Sequence, residues 1–222
     1  MSACIKNQRK KNIKVYLSVD GWTEYWYFDW LQNQINEREE SLFTIKFEIE
    51  IGISPESFVK KTGVLGKELF VHVFDFESQE KVHVDRVRGI IDSLKKAKSL
   101  KSVQYEMAYS NFTFELWMLL HKKQFNRSLT HRDQYLSPIN KAYNQKFKSL
   151  KEYKEKANFQ RILDRISLSD VIDAVKRGEK ITQNNYREYQ LQTYKKYVFF
   201  RENPSLSVHE FVEKILKKCG LI

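Results

Sequence analysis

Apolar residues in the first half of the chain recur in two alternating rhythms. Ile13–Val19 (IKVYLSV) is short, apolar and rich in β-branched residues, which predicts a strand, and Asp20-Gly21 ends it. Tyr27, Trp30, Leu31 and Ile35 then fall at helical spacing in a stretch opened by Thr23, the candidate N-cap. Phe43–Ile51 (FTIKFEIEI) alternates with period two and reads as a strand with one wetter face. Ser54-Pro55 opens a short helix with proline at its first position. Leu69–Phe74 (LFVHVF) reads as a strand buried on both faces, Val84–Leu100 as a helix with a basic tail, and Val103–Ala108 as a fourth strand. Asn111–His121 (NFTFELWMLLH) starts a further helix. Past residue 125 no segment reads as a strand, and 141–156, 168–177, 184–200 and 208–218 read as helices. Strand–helix alternation of this kind predicts an α/β fold: a mostly parallel sheet sandwiched by helices, with a C-terminal helical elaboration. The expected division is an α/β domain over residues 1–122 and a basic helical region over 123–222 packed on it.

Composition adds that a core can form, since 41% of the 222 residues are hydrophobic and 14% aromatic. No apolar run reaches the roughly 18 residues that a membrane-spanning helix needs. The polar, basic N-terminal segment lacks the apolar stretch of a secretory signal. Cys4 and Cys219 lie near opposite ends without CxxC spacing, so neither a zinc site nor a redox motif is implied, and a reducing cytoplasm is expected.

Charge changes the picture more. Residues 1–121 carry as many Lys and Arg as Asp and Glu, so the whole net charge of +11 belongs to residues 122–222. A neutral half with acidic motifs beside a basic half suggests chemistry in one and a grip on a polyanion, RNA or DNA, in the other. A solvated Lys-rich helical surface accounts for the same charge. Aromatic and basic residues interleave in Tyr186-Arg187-Glu188-Tyr189 and Tyr194-Lys195-Lys196-Tyr197. Lys195 and Lys196 are thereby candidate contacts to a substrate backbone, with tyrosines available to stack on bases, although packing on a neighbouring helix is the commoner use of such tyrosines.

In an open parallel sheet functional groups collect just past the carboxyl ends of the strands. Three acidic motifs fall there: Asp20 with Glu24, Asp75 with Glu77, and Glu115 in the segment that begins at Asn111 and ends at His121. Hard oxygen donors of this kind suit Mg²⁺ or Mn²⁺, and mutual repulsion among them calls for a cation or bound protons. Each motif also has a plain structural explanation: a turn at Asp20-Gly21, an N-cap at Asn111, a lysine partner or helix cap for Glu115, a helix C-terminal dipole contact for His121. His72 reads as a packed strand residue and His209 as an anchor of the last helix, while His83 and His131 carry no motif. No glycine-rich phosphate loop is present, which argues against a nucleoside triphosphatase.

Four segments carry a family resemblance. VDGWTEYWYF is similar to the opening "CEGxTExxYF" of the RloB-like (AbiLii) abortive-infection family, VFDFES to its "VFDRDD", SNFTFELWMLLH to its "SNPCFELWLLLH", and ENPSLSVHEFVEKI to its "NPSTTVHKLVEEL". They occur in the family's order and span nearly the whole chain. The resemblance implies a Toprim-like domain that binds Mg²⁺ or Mn²⁺ and breaks phosphodiester bonds. In that reading Asp20, Asp75 and Glu77 hold the metal and Asp20 or Glu24 serves as general acid/base. Glu115 adds a ligand or orients water, His121 assists proton transfer, and Asn111, which matches a further polar position, contacts the substrate. It also implies a role as toxic nuclease effector in bacterial anti-phage defence beside an ABC- or SMC-like ATPase, and leaves a homo-oligomer open. Three positions depart from the pattern: Asp20 stands for Glu, Glu77 for Asp, and Phe76 for Arg, the last removing a cation that could face phosphate. The first two keep charge and donor type, yet small displacements are costly in catalysis. A catalytically degenerate regulatory or nucleic-acid-binding subunit is therefore the rival expectation.

Overall fold

The computed structural model describes residues 10–64 and 66–222. Cys4 and most of the basic N-terminal segment lie outside the described residues. The first half follows the predicted alternation: β1 (Lys11–Val19), α1 (Trp22–Asn36), β2 (Phe43–Ile51), α2 (Pro55–Lys61), β3 (Leu69–Phe76), α3 (Lys81–Leu100), β4 (Gln104–Asn111) and α4 (Glu115–Leu120). The second half contains α5 (Leu136–Tyr143), α6 (Leu150–Tyr153), α7 (Lys156–Leu163), α8 (Leu168–Glu188), β5 (Gln192–Tyr194), β6 (Tyr197–Phe199), β7 (Ser205–Leu206) and α9 (Val208–Lys218).

The central sheet has the order β2-β1-β3-β4-β7. β1 pairs in parallel with β2 and β3, and β3 in parallel with β4, while β7 closes the far edge antiparallel to Ser110-Asn111. Period-two alternation gives the sheet two apolar faces. Val15, Leu17, Val19, Val71, Val73 and Ala108 join one core with α1, α4 and α5 and with α7, α8 and α9. Phe70, Phe74, Phe76, Tyr105 and Tyr109 face α2, α3 and Phe199 of β6. The wetter face expected of β2 is explained by its place at the edge, where α1 clamps it. Gln32 Oε1 accepts from Phe47 N–H (2.7 Å), and the Asn36 amide exchanges two bonds with the Ile45 backbone. α2 begins with Pro55 at its first position as predicted, and Ser54 caps it, accepting from Ser57 N–H.

Several expectations are corrected. α1 begins at Trp22 behind an extended Gly21, because the Thr23 hydroxyl donates to Glu24 (2.9 Å) and caps nothing. β4 continues through Asn111, which is therefore a strand residue and not a helix cap. The helix expected over 141–156 is divided among α5, α6 and α7, with Asn144 left-handed (φ 49°) after α5 and Ser149 capping α6. The helix expected over 184–200 is instead the end of α8 followed by the β5–β6 hairpin, whose turn residues Lys195 and Lys196 have φ of 48° and 75°. Strands thus do occur past residue 125. Among the described residues no helix is long and apolar enough to cross a membrane.

Candidate functional site

In the strand order β2-β1-β3-β4 the chain leaves β1 in opposite directions for β2 and β3. That switch point opens a crevice at the carboxyl ends of β1 and β3, where ligands bind in open α/β sheets. Asp20 follows β1 directly, and its Oδ2 accepts from Asp75 N–H (3.3 Å) on the neighbouring strand. Asp75 lies two residues beyond Val73 on β3, on the sheet face that packs against α1 and α4. Glu24, buried in the first turn of α1, and Glu115, buried at the start of α4, converge on that side. Glu77 follows β3. A cleft of about 360 Å³ is lined by Asp20, Glu24, Asp75, Glu77, Arg86 and Lys154 together with Gly21, Trp22 and Thr23.

Two cations of the chain answer these carboxylates. Arg86 reaches from α3 and places one nitrogen 2.7 Å from Asp20 Oδ2 and the other 2.7 Å from Glu77 Oε1. Lys154, at the end of α6, stands 3.1 Å from Glu115 Oε1, and Thr113 Oγ donates to the other oxygen of Glu115. His83 adds Nε2 at 3.5 Å from Glu77 Oε2 and bonds Ser78 Oγ at 2.7 Å.

The partnering is incomplete. Loss of solvent pushes the Asp75 carboxyl well above the usual carboxylate range, and the charges of Glu24, Glu115 and Asp20 add to it against Lys154. Burial raises Glu24 in the same way, with Glu115 adding and Lys154 opposing. Burial also raises Asp20, although Arg86 pulls it back. For Lys154, burial would lower the ammonium, but Glu115, Asp75 and Glu24 together outweigh it and hold the proton more firmly. An excess of negative charge on hard oxygens fits a divalent cation such as Mg²⁺ or Mn²⁺ in donor chemistry. Among the described residues no three or more His, Cys, Asp or Glu side chains are gathered closely enough to cage an ion, and Arg86 and Lys154 partner three of the carboxylates.

The structure thus brings together Asp20, Glu24, Asp75, Glu77 and Glu115. It does not bring the other candidates to them. His121 is buried, with Nε2 3.1 Å from Tyr27 Oη and Nδ1 3.0 Å from the Trp117 carbonyl. The carbonyl can only accept, so Nδ1 carries the proton and Nε2 takes the tyrosine hydrogen. Burial lowers its pKa to about 4, and the ring is a packed core group with both nitrogens engaged, not a proton carrier for the cleft. Asn111 is buried too and donates to the carbonyls of Arg201 (2.8 Å) and Glu202 (3.3 Å), tethering the loop before β7. Lys195 pairs with Asp92 of α3 and Lys196 borders a separate aromatic pocket of about 310 Å³ beside β4. Phe76 is buried against Phe199 on the α3 face, opposite Asp75, so an arginine there would not have pointed with Asp75 into the cleft. The guanidinium at the acids comes from Arg86. His72 is a packed residue as expected, bonded to Ser18 Oγ (2.8 Å) and lowered to about 3 by burial and by Arg86.

Arg86, His83 and Lys154 escaped the sequence reading. Each lies within an ordinary charged stretch: His83 and Arg86 meet Glu77 across the turn into α3, while Arg86 reaches Asp20 and Lys154 reaches Glu115 through long-range packing.

The fold and this cluster define an α/β protein with carboxylates and two chain-borne cations collected at the switch point of a parallel sheet. The chain belongs to the RloB-like protein family, whose model matches residues 6–215. Comparison with curated proteins and with solved structures finds no match.

Proposed function

We propose that this protein is a Toprim-like nuclease, dependent on Mg²⁺ or Mn²⁺, that acts on RNA or DNA as the toxic effector of a bacterial anti-phage system with an ABC- or SMC-like ATPase partner. The observation that carries the reading is the gathering of Asp20, Glu24, Asp75 and Glu77 at one cleft, backed by the buried Glu115 behind Lys154, with the proton affinities of Asp75 and Glu24 raised. Asp20, Asp75 and Glu77 would hold the cation. When bound, such an ion orients a phosphate, neutralises developing charge and lowers the pKa of water. Lys154, whose ammonium stays charged among the acids, is placed to hold a non-bridging phosphate oxygen. Arg86, once off Asp20 and Glu77, offers a planar fork that matches phosphate. Glu24 is the carboxyl best suited to take a proton from water: it is buried, held by Thr23, and burial raises its affinity for protons. The basic second half supplies long-range attraction for the polyanion.

Expression together with the ATPase partner, followed by sequencing of cleaved RNA and DNA, tests the reading. Cutting should require Mg²⁺ or Mn²⁺ and fall at least about a hundredfold in Asp75→Asn. Equal cutting in that variant would remove the assigned site. One observation favours a second reading, a non-catalytic subunit of such a system: Arg86 already bridges Asp20 and Glu77 as a permanent internal counter-ion would. That reading predicts no response to divalent cations in any assay.

A further inference from the structure

Trp22 is the first residue of α1 and forms the lip of the acidic cleft beside Asp20 and Glu24. It is 58% exposed. A tryptophan left so open at a cleft is unusual in a chain that buries Trp117 completely. Its indole is backed on one side. Trp26 lies 5.8 Å away at an interplanar angle of 28°, and Tyr25 5.5 Å away at 64°. Trp26 is itself packed 6.0 Å from Phe159 of α7. The outermost ring of this aromatic series is thus oriented by its neighbours and has surface to spare.

We infer that Trp22 is a stacking platform for an unpaired nucleobase, so that the cleft takes single-stranded nucleic acid, or a looped or extruded nucleotide, and not intact duplex. The inference rests on the proposed function, because it is the phosphate entering the cleft that carries the neighbouring base past this lip. A base inside a duplex has both faces covered by its neighbours and offers none to an indole, whereas an unpaired base offers a whole face. A protein partner fits less well. An apolar anchor docking on Trp22 would have to seat itself among Asp20, Glu24 and Arg86, whereas a nucleotide brings a flat apolar base for the ring and a phosphate for the cations.

The test is fluorescence anisotropy of a labelled single-stranded oligonucleotide, and of the same strand in a blunt duplex, against the full chain. It is run in chelator, so that nothing is cut, and again with Mn²⁺. Trp22→Ala should weaken single-strand binding by about tenfold and change duplex binding less than twofold. Trp22→Phe, which keeps a ring, should recover most of the loss. Because the side chain is exposed, thermal melts of both variants should superpose on the parent. Equal single-strand binding in Trp22→Ala, an equal loss on strand and duplex, no strand binding by the parent, or a loss confined to association with a protein partner would each overturn the inference. Strand binding that depends on Trp22 without any cation-dependent cutting would overturn the nuclease reading and leave this inference standing. Cutting that needs Asp75 but ignores Trp22 would do the reverse.

Discussion

At Asp75 the fold holds a half-buried carboxyl on the wall of the cleft, among other acids. Burial and the charges of Glu24, Glu115 and Asp20 outweigh Lys154, so folding raises the affinity of this carboxyl for a proton. A carboxyl whose folded-state pKa lies above its unfolded value contributes stability that is complete below the ordinary carboxylate range and is lost as pH rises through the raised value. Glu24 and Asp20 act in the same direction. Stability should therefore decline as pH rises above the ordinary carboxylate range. Asp75→Asn, which cannot ionise, should flatten that decline and raise the melting temperature near neutrality by about 2–4 °C. Melting curves across the pH range check this, and a slope identical to the parent's would contradict it. Asp75 was legible in the sequence because it ends a strand that is apolar on both faces. His121 and Asn111 were legible as polar groups, but not their surroundings. The same SNFTFELWMLLH segment sends Glu115 to Lys154 behind the cleft, His121 into the core against Tyr27, and Asn111 to the loop at Arg201.

Among the elements, α8 and α9 show how close packing depends on one small residue. A Cβ at Gly178 of α8 would lie 2.6 Å from His209 Cγ of α9. That ring is buried with Nε2 towards Thr182, and burial lowers it to about 4, so it sits neutral between the helices. Gly178→Ala should cost about 1–3 kcal/mol by overpacking, despite the roughly 1 kcal/mol that alanine gains in a helix interior. In a double-mutant cycle His209→Ala should recover much of that loss, and a neutral Gly178→Ala melt would refute the contact. The sequence pointed to His209 as an anchor of the last helix but not to the glycine opposite it. The β5–β6 hairpin was illegible for a different reason. Its strands are too short for alternation to register, and its turn has Lys195-Lys196 where Asn-Gly is the usual signal. What holds it is tertiary: Phe199 against Phe76, Tyr197 Oη donating to the Tyr105 carbonyl, and Lys195 on Asp92.

In the whole molecule the neutral and basic halves meet at the site. One apolar core runs from β1 through α4 to α9, and the basic half sends Lys154 into the acids of the neutral half. The parallel sheet and the positions of the acids could be read from periodicity, because both are local patterns. The two cations could not, because which side chains of α3 and the end of α6 face the cleft is set by tertiary packing. Those cations decide how the site is read: they neutralise part of the charge, and a divalent ion must compete with Arg86 for Asp20 and Glu77. Titration calorimetry with Mn²⁺ measures that competition. The account predicts saturable binding with a dissociation constant at or below the millimolar range, tightened in Arg86→Ala and abolished in Asp75→Asn. Absence of binding at millimolar Mn²⁺ in both the parent and Arg86→Ala, or unchanged binding in Asp75→Asn, would contradict it.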